Sequence, residues 1–311
     1  MKFGFLGFML CLPFITFCSN GVSKIEQDTV KTVCIGDEQI APQNITIPVI
    51  PNEASFAGEA MPLEYFDVRE SLQREMTVIN YWHASLSYIV QLSGRYKEMI
   101  DQILKEEGVP LDFFYLCVAE SSLQPLTSSA NARGYWQFLG TTGKEYGLEI
   151  TGEVDERYNW EKSTRAACKY FKKAFAKYGS WTLAAASYNV GMNSIDNRSD
   201  LQSVNSYYDM QLPLETSRYV YRAVAFKIIM NNLKDYGFNI KEEDKYKPLK
   251  YNIVEVKGPI LNWSDFAAKH STNFKMIKMY NEWIKSNKLI NKMGRTYKVW
   301  VPVEGSRKQP L

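Results

Sequence analysis

Between residues 70 and 236 of this 311-residue chain, no stretch of any length alternates apolar and polar side chains. Alternation is what a half-buried strand needs, so this long middle region must build its core from helices. The apolar spacing agrees. In GRYKEMIDQILKEEG, Tyr96, Met99, Ile100, Ile103 and Leu104 recur three and four residues apart, with charges between them. Gly108 stops that helix and Pro110 opens the next segment, where Leu111 to Ala119 is apolar enough for a mostly buried helix. Residues 131–147 read as a loop with a short helix. Ser163 to Tyr178, Trp181 to Tyr188 and Glu215 to Leu233 read as further helices. An all-helical domain is expected over 69–240.

The flanks differ. Lys2 precedes FGFLGFMLCLPFITF, a run too short to span a membrane comfortably, which breaks at Ser19-Asn20. Residues 1–20 therefore read as an export signal peptide, which places the protein in the periplasm or cell envelope. Cys18 stands where a lipoprotein acceptor would, although Phe17 is bulky for that site. Plain cleavage is the main reading; lipidation of Cys18 would anchor the chain to the membrane, with outer-membrane association as the consequence. Residues 21–68, with Pro42, Pro48, Pro51 and Pro62, read as an extended arm. KEEDKYKPLK at 241–250 reads as a solvated linker. Over 251–306, YNIVEV, WSDFAAKH, NFKMIKMYNEW and YKVWVPV give a strand, two short helices and a strand. The fold class is mainly α, closed by a small βααβ module.

Several function classes are disfavoured. The net charge of +3 is mild and shows no basic cluster, which argues against nucleic acid as a partner. His83 and His270 are the only histidines, and there is no HExxH and no Cys/His cluster, so no metal and no cofactor is expected. A Gly-x-Ser-x-Gly elbow is absent as well. Cys117 and Cys168 sit on apolar helical faces, where a small buried hydrophobe is the expected role and a bridge between them the alternative.

The chemistry-bearing stretch is FFYLCVAE followed by SSLQPLTSSANARGYWQ. An apolar run that ends in a carboxylate sets that acid, Glu120, against a low-dielectric wall. Desolvation then raises its pKa, so it can donate a proton near neutral pH. Further on, Tyr188 and Asn189 in ASYNVG can hydrogen-bond a polar substrate such as a carbohydrate.

Five pieces in order, Glu120-Ser121, ARGYWQF, DERYNWEKSTRAACKYF, ASYNVG and ETSRYVYRAVAFK, resemble the catalytic domain of soluble-type lytic transglycosylases, most closely the membrane-bound murein transglycosylase D group. The resemblance implies a goose-type, lysozyme-like helical fold. It also implies non-hydrolytic cleavage of the β-1,4 bond between N-acetylmuramic acid and N-acetylglucosamine in peptidoglycan glycan strands, leaving 1,6-anhydro ends. On it, Glu120 is the single general acid and base, and Ser121 or its backbone helps position the substrate or the carboxyl. Gln137 bonds the sugar, Tyr188 and Asn189 hold the acetamido group or the developing oxocarbenium geometry, and Tyr219 lines the cleft. Trp136 is either core or a sugar platform. The C-terminal module resembles a degenerate LysM glycan-binding unit, with Lys257-Gly258-Pro259 where a Gly-Asp pair is usual.

Three departures bear on the cleft: Asn131 stands for a glycine, Tyr135-Trp136 for Leu-Met, and Gly140 for a proline. Asn tolerates the left-handed backbone that glycine favours. A hydrolytic muramidase, and a peptidoglycan-binding protein with a decayed site, are the alternative readings.

Overall fold

Helices dominate the computed structural model, which describes residues 46–308. The signal segment, Cys11, Cys18, Cys34 and the first part of the arm lie outside the described residues. A short hairpin, β1 (Ser55–Phe56) with β2 (Glu59–Ala60), precedes α1 (Phe66–Asn80) and α2 (His83–Glu107). Then come α3 (Phe113–Ser121), α4 (Gly140–Glu145), α5 (Trp160–Tyr178), α6 (Trp181–Val190), α7 (Met192–Gln202) and α8 (Leu214–Asn231).

The centre is α3. Phe113 through Val118 are all buried, so this helix is apolar on every side and has no solvent face to offer. It packs on α8, which in turn packs on α1 and α6, while α5 joins α2 to α6. Gly108 ends α2 in the left-handed conformation, at φ 69°, as its place in the sequence requires. Beneath α8, the enclosed carboxylate of Glu75 is paired with Arg218 at 2.6 Å and Arg222 at 3.2 Å, the condition on which a charge can stay inside.

The proline-containing arm is built into this core over its described part. Phe56 is 1% exposed and its ring lies 5.2 Å from that of Phe113. Glu59 accepts from the backbone N–H groups of Trp181 and Thr182 at 2.5 and 2.9 Å, so its carboxylate caps the first turn of α6, where the helix dipole favours an anion. Cys117 and Cys168 are free buried thiols and form no bridge. Burial pushes both up, Cys168 to about 12, which leaves them unreactive packing groups.

The C-terminal module pairs β3 (Tyr251–Val256) antiparallel to β4 (Tyr297–Pro302), in the register Tyr251↔Pro302 through Val256↔Tyr297. Between them lie α9 (Trp263–Lys269) and α10 (Phe274–Tyr280). Asn281, fully buried, donates to the carbonyl of Trp300 and accepts from its N–H, both at 2.8 Å, which ties the end of α10 to β4.

The linker over 241–250 is mostly exposed, yet it is held to the helical region at several points. Tyr246 donates its backbone N–H to Gln91 at 2.9 Å, and its ring lies under the Arg95 guanidinium. The segment is laid along α2, and Thr46–Leu311 form one compact unit. The module's apolar cluster even includes Val154 and Tyr158 from the helical region.

Candidate active site

The acid sits where the buried helix runs out. Glu120 occupies the last turn of α3, and Ser122 and Leu123 follow at φ 53° and 58°. Two successive non-glycine residues in the left-handed region are uncommon, and they turn the chain sharply away behind the carboxylate. Oε1 of Glu120 accepts a hydrogen bond from the Tyr219 hydroxyl on α8. Burial pushes the Glu120 carboxyl up to about 7. The Tyr219 bond opposes that rise, the Glu215 charge adds to it, and the Arg222 charge opposes it.

A second carboxylate, Glu215, stands near the acid. It lies in the first turn of α8, exposed to solvent, and accepts from the Asn189 amide at 3.3 Å. Asn189 in turn accepts from the Thr216 hydroxyl at 2.6 Å. The end of α6 is thereby locked to the start of α8, with Asn189 held between Thr216 and the second carboxylate. The spacing of Glu120 and Glu215 in the sequence gives no hint of this proximity; the packing of α8 on both α3 and α6 creates it.

Gln137 occupies a loop that is backed by α6. Its φ is 46°, and its amide nitrogen donates to the carbonyls of Gly134 at 2.7 Å and Leu126 at 3.2 Å. With the nitrogen committed to the loop, the group Gln137 can offer a ligand is the acceptor Oε1. Tyr188 is packed edge-on against Phe138 and Tyr170, and its hydroxyl donates to the Trp136 carbonyl at 2.6 Å. Burial pushes the hydroxyls of Tyr188 and Tyr219 well up, so both remain protonated donors. Asn131 holds φ 62°, the left-handed conformation expected of it in place of glycine.

Two of the expected site residues turn their side chains elsewhere. Trp136 is 0% exposed; its indole N–H donates to Thr164 Oγ1 at 2.9 Å, so it is core and no platform for a sugar. Ser121 is also buried, and its hydroxyl donates to the Cys117 carbonyl within its own helix at 3.3 Å, so only its backbone reaches the acid's surroundings. Immediately past Asn189, a groove of about 780 Å3 opens between α4, α5 and α7, lined by Tyr146, Tyr170, Lys173, Asn193 and Arg198 among others. Glu120 does not line it.

Two stretches of the chain match known domain families. Residues 98–210 match the family model of the transglycosylase SLT domain, which contains Glu120, Gln137, Tyr188 and Asn189. Residues 252–305 match the soluble lytic transglycosylase C-terminal LysM-like domain. The membrane-bound lytic murein transglycosylase D proteins of Escherichia coli K12 and of Escherichia coli O6:H1 are each 28% identical over 244 residues, covering 76% of this chain. The chain spans about half the length of these curated relatives, 52% of each. Residues 98–210 are thus similar to the transglycosylase SLT domain, and residues 252–305 to the C-terminal LysM-like domain of soluble lytic transglycosylases.

Proposed function

We propose that this protein is a peptidoglycan lytic transglycosylase that cuts the β-1,4 bond after N-acetylmuramic acid and leaves 1,6-anhydro ends. The observation that carries the reading is the Glu120 carboxyl, raised to about 7 by burial and pinned by Tyr219 at the mouth of a buried helix. A carboxyl with that proton affinity is half loaded at neutral pH, the condition for an efficient general acid. It protonates the glycosidic oxygen as the bond to the muramic C1 breaks. The sugar's own C6 hydroxyl then attacks C1, and Glu120, now a carboxylate, takes the C6 proton. No water is consumed, and the nucleophile's proximity comes from the substrate itself. Gln137 through Oε1 and Asn189 are the sugar contacts in this scheme, and the groove beyond Asn189 gives a long strand room to continue. The LysM-like module is the proposed second contact with the strand, and residues 1–20, with Cys18, the proposed route to the envelope. Among the described residues no helix is long and apolar enough to cross a membrane.

A hydrolytic reading has one observation behind it. The Glu215 charge is felt by Glu120, and two carboxylates are what a water-using glycosidase employs. Product mass decides between them. Purified peptidoglycan digested with the protein should release anhydro-muropeptides, each one water lighter than the hydrolysed counterpart. Reducing-end products that disappear in a Glu215→Gln variant would establish the muramidase instead.

The local electrostatics give two further expectations, read from the alkaline limb of the pH–rate profile. Tyr219→Phe removes a bond that holds the Glu120 pKa down, so the limb should move to higher pH. Glu215→Gln removes a charge that holds it up, so the limb should move to lower pH. Opposite shifts identify Glu120 as the titrating acid; a limb that stays fixed in both variants assigns the proton to another group.

A further inference from the structure

Tyr135 and Trp136, the two residues before Gln137, are fastened to different elements. Trp136 gives its carbonyl to Tyr188 on α6. The Tyr135 carbonyl receives the Cys117 thiol of α3 at 3.4 Å, one turn before Glu120. The Tyr135 ring is stacked on Trp160, 3.2 Å between centroids, and 0% exposed. Its hydroxyl leaves the helical region altogether and donates to the Glu282 carboxylate, just after α10 in the LysM-like module.

A second path reaches the other side of Gln137. The Trp283 carbonyl of the module accepts from the Asp155 N–H at 2.9 Å. Asp155 is paired with buried Arg157 at 2.7 Å, and Arg157 Nη1 donates to the Phe138 carbonyl at 3.1 Å. The same face of the module is seated by Ile290 N–H on the Glu153 carboxylate, at 3.0 and 3.1 Å, and by Arg295 and the Tyr297 hydroxyl on Glu149 at 2.9 and 3.0 Å. Residues 135 and 138, on either side of Gln137, therefore both depend on groups supplied by the module.

We infer that Glu282 of the LysM-like module is a positioning residue for the active site, acting through Tyr135 to hold Gln137 in its left-handed loop conformation. The inference rests on the lytic transglycosylase reading for its effect on turnover, while its effect on the loop stands without any substrate. Gln137 needs such support. A non-glycine residue at φ 46° persists only where its surroundings over-determine it, and its amide bonds reach only its own loop. Glu282 is well placed to give it: it is half-buried, it accepts from the Tyr135 hydroxyl, and the Lys285 and Arg95 charges favour its ionised, accepting form. The module then contributes to catalysis as a wall of the active site, whatever glycan its own surface binds.

The test begins with Tyr135→Phe, which deletes only the donor. Amide hydrogen exchange over residues 126–138 should speed up in that variant and in Glu282→Leu, while Glu282→Gln, whose amide oxygen still accepts, should match wild type. Release of muropeptides from purified peptidoglycan should fall about tenfold in kcat/KM for the first two and stay near wild type for the third. In a Gln137→Ala background, Tyr135→Phe should cause no further loss, since its effect passes through Gln137. A thermal melt controls for global unfolding. Unchanged loop exchange in Tyr135→Phe overturns the inference, as does a full additional loss in the Gln137→Ala background. A loosened loop in a protein whose wild type releases no product supports the coupling and defeats the activity reading.

Discussion

Glu120→Gln should give a folded protein that releases muropeptides at least about 10²- to 10⁴-fold more slowly and that is more stable than wild type above pH 7. The two effects share one cause. The folded protein holds the Glu120 proton up to about pH 7, whereas the carboxyl ordinarily releases it near 4.5. This group's contribution to stability is fully present below pH 4.5 and is lost as pH rises through 7, because the folded state must then carry an ionised carboxylate against apolar walls. The shift corresponds to at most about 3 kcal/mol, since one pKa unit is about 1.4 kcal/mol and the carboxylate still reaches solvent. Glutamine keeps the shape and the acceptor for Tyr219 but carries no charge. Wild type and variant should therefore melt together at pH 4, and at pH 8 the variant should melt several degrees higher. A variant that lost activity and also lost stability at pH 8 would show Glu120 to be a structural partner of Tyr219 and no acid. Retained activity would remove the mechanism proposed here.

The reach of the sequence differs from element to element. YNIVEV and YKVWVPV were legible as strands because β-branched and aromatic residues cluster between turn signals, and β3 and β4 fall on them. The helix α3 was legible because an unbroken apolar run of its length, bounded by Gly108-Val109-Pro110 and two serines, has only one good use. The helix α7 was not. In MNSIDNRSDLQ only Ile195 is buried, so no apolar stripe announces the period. Nor was the hairpin β1–β2, which is too short to alternate and is held by Phe56 and Glu59 reaching into the helical core.

The site divides along the same physical line. Glu120 could be read because its environment is built by its own neighbours in sequence: the apolar run that precedes it raises its pKa. Glu215 could not, because its effect on Glu120 depends on how α8 lies against α3. Trp136 defeated local reading from the other side. A tryptophan in a polar loop is as suited to a sugar as to a core, and only the Thr164 hydroxyl awaiting its indole N–H decides. The seating of the LysM-like module on the loop had no sequence signal either. Glu149, Glu153, Glu282 and Arg295 look like ordinary surface charges until the chain folds and sets Arg295 on Glu149, the Ile290 N–H on Glu153 and the Tyr135 hydroxyl on Glu282.

Gly134→Ala should be among the most damaging single-methyl additions to this protein. Gly134 has φ 79°, and a Cβ built there would lie 1.8 Å from the Arg157 carbonyl oxygen and 2.5 Å from its carbon. Both obstacles are backbone and cannot rotate aside. The left-handed conformation alone costs an alanine roughly 1–2 kcal/mol. The larger cost is displacement of the 156–158 turn, since Arg157 is fixed by its buried pair with Asp155 and by its bonds to the carbonyls of Asn131 and Phe138. We expect a loss of more than about 4 kcal/mol, the range in which a specific clash rather than general softening is at work. Activity should fall further than stability, because Gly134 also supplies the carbonyl that receives both the backbone N–H and the side-chain amide of Gln137. Thermal melts and muropeptide release measured side by side test this. If Gly134→Ala melts within a degree or two of wild type and still cuts, the loop can leave Arg157 without consequence, and the tight seat of Gln137 is not what the reaction depends on.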